Sequence, residues 1–168
     1  VQSYARKYVS VDEEGLSRVG KYYHDLSQAN RNAAGYEVLD LEKDHMVSIA
    51  GHLMRQASSR SLGFRLVDSM ADYLDRQGHS EDRRVLLEIQ EQEARESGDK
   101  AAEAASLCNL GNVYSVRGEL SQAKEMYQKA LNKEKELGSK EGMARNYGNL
   151  GIANYIQGEL KQAEEMYK

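Results

Sequence analysis

The feature that most constrains this chain is an internal repeat with a period of 40 residues. Residues 109–128 read NLGNVYSVRGELSQAKEMYQ and residues 149–168 read NLGIANYIQGELKQAEEMYK, so 11 of the 20 aligned positions are identical. Self-similarity at a fixed period of about 20–50 residues is typical of solenoids, in which each unit buries its apolar face against its neighbours. The chain is therefore predicted to stack copies of one structural unit.

Each unit is predicted to be a pair of helices. The first apolar stripe, at the i, i+3, i+4, i+7 spacing of one helical face, comprises Leu107, Leu110, Gly111 and Tyr114. The second stripe comprises Ala123, Met126, Tyr127, Ala130 and Leu131. Gly118 and Gly138 follow the two stripes, where the end of a helix favours a left-handed residue. Proline is absent from all 168 residues, which favours long uninterrupted helices.

These residues resemble the tetratricopeptide repeat, whose pattern is Leu-Gly-x-x-Tyr followed by Gly, Ala, an aromatic residue and Ala. The first copy matches at Leu110, Gly111, Tyr114, Gly118, Ala123, Tyr127 and Ala130, and the second at Leu150, Gly151, Gly158, Ala163 and Tyr167. The second copy departs at Asn154, because its tyrosine is displaced by one position to Tyr155. The long period and the Gly-(Asp/Ser)-Lys linkers at Gly98 and Gly138 resemble the extended repeats of kinesin light chains and of bacterial and archaeal signalling proteins.

The part of the chain before Gly98 carries weaker signals. Gly78 lies 40 residues before Gly118, which predicts a degenerate hairpin with Arg83 in place of a small residue. Helices are expected over 3–9, 12–30 and 39–58, with a loop over 31–38. The order of motifs resembles the helical linker that precedes tetratricopeptide repeats in signal-transduction ATPases with numerous domains (STAND, or NB-ARC-type, ATPases). The matching residues are Asp40, Glu42, Asp44, Gly78, Glu81 and Arg84.

Together these patterns predict four segments in an all-α chain. They are a linker bundle over 1–60, a degenerate hairpin over 61–98, a first repeat over 99–138 and a second, truncated repeat over 139–168. The expected fold is a right-handed superhelical α–α solenoid of about nine helices, preceded by a helical bundle. The last predicted helix has no polar capping repeat after it, so further repeats or self-association through that end are expected.

The sequence contains no recognisable catalytic or metal-binding motif. It lacks GxxxxGK[ST] and HExxH, and the lone Cys108 has no evident basic partner. His24, His45, His52 and His79 are expected to be surface or core residues. A net charge of −4 argues against nucleic-acid binding, and no apolar stretch is long enough to span a membrane. We therefore expect a cytoplasmic, non-enzymatic chain without a cofactor or metal.

A peptide-binding groove is predicted on the helix faces that the core does not use. Its residues are Asn109, Asn112, Ser115, Arg145, Asn149, Ile152 and Tyr155. Asparagine is a poor residue for a helix interior, and its amide offers both a donor and an acceptor to an extended peptide backbone. In the alternative interpretation, Asn109 and Asn149 bond the neighbouring hairpin and set the stacking.

Three functions remain open from sequence. The chain is expected to be a protein-interaction module, serving either as the arm and sensor start of a signalling ATPase or as a free-standing adaptor for complex assembly. An enzyme whose active site lies elsewhere, regulated by this segment, is a third reading. In each case the expected partner is a protein or peptide.

Overall fold

The computed structural model describes residues 12–166, and within that range every regular element is an α-helix. The helices are α1 (Glu13–Ala29), α2 (Ala33–Met54), α3 (Arg60–Arg76), α4 (Ser80–Ser97), α5 (Lys100–Val116), α6 (Leu120–Leu137), α7 (Lys140–Ile156) and α8 (Leu160–Met166). The predicted all-α class is confirmed. The helix expected over 3–9 lies outside the described residues. The chain divides into two compact units, Val1–Gln77 and Gly78–Lys168.

The first unit contains α1, α2 and α3, each of which packs against the other two. Its core holds large side chains that are fully buried: Leu39, Met46, Leu53, Met54, Leu66, Met70, Tyr73 and Leu74. A glycine permits the closest approach, since a Cβ on Gly20 would lie 2.4 Å from a Leu53 methyl carbon. Asp40 and Glu42 each accept a hydrogen bond from a tyrosine. Tyr73 donates to Asp40 at 2.6 Å, and Tyr23 donates to Glu42 at 3.0 Å.

The prediction of a loop over 31–38 is wrong, because α2 begins at Ala33. The Asn32 side chain accepts a hydrogen bond from the Gly35 amide at 2.8 Å and so caps the first turn. Tyr36 is 4% exposed and joins the core. The burial of this side chain favours helix formation before Leu39. The same helix ends at Met54 rather than at residue 58.

The second unit contains α4 to α8, and each helix packs against the next one in the chain. Its shared core includes Leu107, Cys108, Ala123, Tyr127, Ala130, Leu131 and Leu150. Gly111 is required at the crossing of α5 and α6, because a Cβ there would lie 2.4 Å from the Tyr127 ring. Ala123 of α6 is also fully buried.

The Gly-(Asp/Ser)-Lys linkers end one helix and start the next. Gly98 and Gly138 adopt left-handed backbone conformations, with φ of 75° and 68°. The following amides, of Asp99 and Ser139, donate back to Ala94 and Glu134 carbonyls at 2.9 and 3.0 Å, which completes a Schellman motif. The Asp99 and Ser139 side chains then cap α5 and α7. Three residues thus suffice to reverse the chain.

Candidate protein-binding surfaces

Two of the predicted groove residues, Asn112 of α5 and Asn149 of α7, contact each other. The Asn149 amide nitrogen lies 3.5 Å from the Asn112 carbonyl oxygen and 3.6 Å from the Cys108 sulfur. From the other side, the Tyr127 hydroxyl donates to the same Asn112 oxygen at 2.9 Å. Burial raises the pKa of Tyr127 to about 12, so this hydroxyl keeps its proton at neutral pH. The Asn112 and Asn149 side chains are therefore held in place before any ligand binds.

Asn109 differs from its repeat equivalent. Its side chain is half-buried, and among residues 12–166 no hydrogen bond to its amide is found. Asn112, one turn further along α5, is exposed. An asparagine amide can donate two hydrogen bonds and accept two. The Asn109 amide thus has its full hydrogen-bonding capacity available to a ligand.

A cation and a buried carboxylate lie beside these amides. Arg145 lies 3.4 Å from a Glu134 carboxylate oxygen, and its side chain is 52% exposed. Glu134 is 6% exposed. It fits because residue 142 is glycine, where a Cβ would lie 2.0 Å from the Glu134 carboxyl carbon. Burial raises the pKa of the neighbouring Cys108 thiol, against the opposing effect of Arg145, which disfavours a reactive thiolate.

Apolar side chains extend this surface toward the C-terminal ends of α5 and α7. Ile152 and Tyr155 were predicted, and they are 51% and 67% exposed. Val116 and Ile156 were missed, although they are exposed by 85% and 58%. The sequence could have indicated both residues, because they lie four residues after Asn112 and Ile152, on the same helical face. The predicted Ser115 is half-buried and bonds the Tyr127 hydroxyl.

We call this surface the amide face. It comprises Asn109, Asn112, Val116, Arg145, Asn149, Ile152 and Ile156. At about 100° of rotation per residue, these positions form one stripe on each of α5 and α7. Tyr155 lies at the edge of the α7 stripe. The tyrosine of the repeat pattern stands at position 155 rather than 154, and Asn154 occupies the buried position at 5% exposure.

A second concavity, which sequence reasoning did not find, lies on the opposite side of α5. It has a volume of about 330 Å³, and we call it the charged groove. Its lining comprises Glu88, Glu91 and Arg95 of α4, Glu103, Leu107, Leu110 and Tyr114 of α5, and Met126, Lys129 and Lys133 of α6. At about 100° per residue, the stripe through Leu107 and Tyr114 points roughly 180° away from that of Asn109 and Asn112. The two surfaces thus use opposite faces of one helix.

Within residues 12–166, no three His, Cys, Asp or Glu side chains are grouped so that they could hold a metal ion. None of the helices in that range has the length and apolarity that a membrane crossing requires. The described surfaces present amides, a guanidinium group and exposed apolar side chains. These are groups by which proteins recognise other chains.

Comparison with known proteins agrees with this description. Residues 103–168 match the tetratricopeptide repeat family. The fold is similar to the crystal structure of BtubC (BKLC) from P. vanneervenii, with a TM-score of 0.68 and 18% sequence identity. That match covers 98% of this chain and 65% of the BtubC chain, so the chain spans about two thirds of that protein's length. No curated protein matches the chain. Together these findings support tetratricopeptide-type repeats over residues 103–168 within a helical-repeat fold, and the predicted all-α solenoid fold class is confirmed.

Proposed function

We propose that the second unit is a non-catalytic protein-interaction module whose amide face binds an extended peptide segment of a partner. Tetratricopeptide repeats generally mediate protein–protein interaction. The Asn109 amide carries the more specific proposal, because it is half-buried and has no hydrogen-bond partner among the described residues. An extended backbone offers one donor and one acceptor per residue, which is the complement that an amide requires.

The other groups of the amide face define what the peptide should carry. The Arg145 guanidinium is half-exposed and has five N–H donors, of which the contact to Glu134 uses only part. It favours a carboxylate on the partner. Ile152 and Ile156, about 10 and 16 Å further along α7 than Arg145, favour an apolar side chain about three to five residues further along an extended segment. The proposed ligand is therefore a short, extended peptide that carries an acidic residue near an apolar one.

The experiment selects linear peptides from a displayed library and measures their affinity by fluorescence anisotropy. Asn109→Ala and Asn149→Ala are each expected to weaken binding by about tenfold, because losing such hydrogen bonds costs about 1.4 kcal/mol. Asn132→Ala is the matched control, since Asn132 is exposed on α6 and outside the amide face. It should leave the affinity unchanged.

The melting temperature of the Asn149→Ala variant separates the two roles proposed for Asn149, which are peptide binding and the packing of α7 on α5. If Asn149→Ala lowers the melting temperature but leaves peptide affinity unchanged, the side chain serves only to pack α7 on α5. Selected peptides that bind both variants as tightly as the wild type would contradict the proposal. Asn109→Ala is the cleaner variant, because its amide has no hydrogen bond to lose within the described residues.

The parent protein is proposed to be a signalling ATPase in which this chain is the arm and the start of the sensor. The support is the motif resemblance of residues 1–98 to the linker of that class. The alternative is an adaptor without an ATPase, which the regular repeats of residues 99–168 equally favour. The gene decides between them: a GxxxxGK[ST] loop and a winged helix encoded upstream of Val1 favour the ATPase, and their absence there favours the adaptor.

Self-association is a further proposal for the partner. The exposed side chains of Tyr155, Ile156 and Leu160 place apolar surface near the junction of α7 and α8. Sedimentation equilibrium of the wild type and of Leu160→Glu would test it, since only a dimer that uses this surface is lost in the variant.

A further inference from the structure

We propose that Tyr127 is a positioning residue for peptide recognition, because its hydroxyl fixes which end of the Asn112 amide faces the ligand. The inference rests on the function proposed for the amide face and specifies it further. It assigns to Asn112 a ligand group that accepts hydrogen bonds, which is a backbone carbonyl of the extended peptide, and it excludes a donor at that place.

The carbonyl oxygen of the Asn112 side chain is fully used within the protein. The Tyr127 hydroxyl donates to this oxygen at 2.9 Å, and the Asn149 side-chain nitrogen donates to it at 3.5 Å. An amide oxygen has two lone pairs, so the two donors occupy both of them. Because Tyr127 lies on α6 and Asn149 on α7, the oxygen is held from two different helices.

The nitrogen of the same amide is the group that remains for a ligand. Asn112 is exposed, and among residues 12–166 no hydrogen bond from its side-chain nitrogen is found. An amide nitrogen carries two N–H donors and does not accept. The carbonyl of an extended backbone supplies the acceptor that these donors require. A backbone N–H in the same place would stay unpaired, at a cost in affinity.

Tyr127 itself is well fixed. It is 3% exposed, and its ring occupies the space that Gly111 leaves, where a Cβ would lie 2.4 Å from a ring carbon. Ser115 forms a hydrogen bond with the same hydroxyl. The hydroxyl therefore has a set position, and a buried ring leaves it few other orientations from which to reach Asn112.

The arrangement belongs to the first repeat only. The position 40 residues after Asn112 is Ile152, which has no amide and is 51% exposed. The same place in the two repeats thus offers donors on α5 and an apolar side chain on α7. A peptide that crosses both helices is expected to place a carbonyl over Asn112 and an apolar group over Ile152.

The first experiment changes the outward group of Asn112 and keeps the inward one. Asn112→Asp replaces the outward nitrogen by an oxygen and leaves an oxygen for Tyr127 and Asn149, so the melting temperature should not fall. The selected extended peptides should bind this variant at least tenfold more weakly, because the ligand carbonyl then meets an acceptor. Unchanged or tighter binding would overturn the proposal, because the outward group of the wild type would then be an acceptor too.

The second experiment removes the positioning hydroxyl. Tyr127→Phe keeps the ring against Gly111 and should weaken binding at least twofold, because the Asn112 amide can then populate both orientations and only one is competent. In the Asn112→Ala background the same change should cause no further loss, whereas a general disturbance of packing would lower the affinity there as well. An equal loss in that background would overturn the proposal.

The matched control is Tyr114→Phe, which removes the same atom from a tyrosine on the opposite face of α5 and should leave the affinity unchanged. Asn109→Ala separates this inference from the function on which it rests. If Asn109→Ala weakens binding but Asn112→Asp and Tyr127→Phe do not, the amide face binds the peptide and the inference is wrong. If none of the three variants weakens binding, the proposed function fails as well.

Discussion

The charged groove contains a buried carboxylate and the amide face lies beside another, and the two carboxylates are neutralised differently. In the charged groove, Glu103 pairs with Lys133 at 3.0 Å, and the Lys133 side chain is 29% exposed. At the amide face, Glu134 lies 3.4 Å from Arg145, whose side chain is 52% exposed. A buried charge requires a partner, because desolvation without one is costly. Lys133 is therefore committed to the fold, whereas Arg145 keeps donors available for a ligand.

The lining of the two surfaces also differs. The charged groove presents apolar and charged side chains, whereas the amide face presents asparagines and is the surface proposed to bind an extended chain. Because both surfaces use α5, the four variants below disturb both faces, one face or neither.

The largest effect is expected from Gly111→Ala, which disturbs the packing that both faces share. The new methyl group would lie 2.4 Å from the Tyr127 ring, and the repacking should lower the free energy of unfolding by about 3 kcal/mol. Chemical denaturation followed by circular dichroism measures it. Gly148→Ala is the matched control, because nothing lies within 4 Å of its added carbon. It should stabilise the protein by about 0.8 kcal/mol.

The next effect belongs to the charged groove alone. Lys133→Met removes the partner of Glu103, which is 5% exposed, and should cost about 2 kcal/mol of unfolding free energy. Peptide affinity at the amide face should not change. If Lys133→Met left stability unaltered, the buried carboxylate would not depend on this ion pair.

A smaller loss is expected at the amide face. Arg145→Met leaves Glu134 without its contact, but that contact is longer and more exposed, so the cost should be about 1 kcal/mol. The affinity for the selected extended peptides should fall by about tenfold. Equal stability losses in Arg145→Met and Lys133→Met would remove the distinction between a structural and a ligand-binding cation.

The smallest effect is expected from Glu81→Gln on α4, outside both surfaces. Hydrogen bonds from Arg84 and Arg117 lower the pKa of Glu81 to about 2. Its ionised form therefore stabilises the protein above the ordinary glutamate pKa of about 4.3, and this contribution is lost as the pH falls through about 2. The wild type should melt slightly above the variant at neutral pH and equally near pH 2. A difference that persists at low pH would exclude ionisation as its source.

The fold could be predicted largely because its signals are local. The left-handed Gly98 and Gly138 and the Asp and Ser caps act within a few residues of the chain, and the 40-residue period repeats these local signals. The start of α2 was missed because Asn32, a residue common in loops, acts there as a cap. Helical spacing also placed Asn109, Asn112 and Asn149 on one surface.

The remaining features of the site depend on packing between helices. The charged groove combines α4, α5 and α6, and no single stretch of sequence contains its pattern. The contact of Glu134 with Arg145 requires the space that Gly142 leaves, which is a property of the α6–α7 crossing. The bond from Tyr127 to Asn112 likewise follows from the absence of a side chain on Gly111.

The most direct test is an NMR titration of the ¹⁵N-labelled protein with a selected extended peptide. Asparagine side-chain amides give their own signals, so the amide face can be observed at the groups that are proposed to bind. The account predicts that the signals of Asn109 and Asn149 shift with the peptide and that the signal of Asn132 stays unchanged. Unchanged Asn109 and Asn149 signals, with shifts instead at Leu107, Leu110 and Tyr114, would place the peptide in the charged groove and contradict the account.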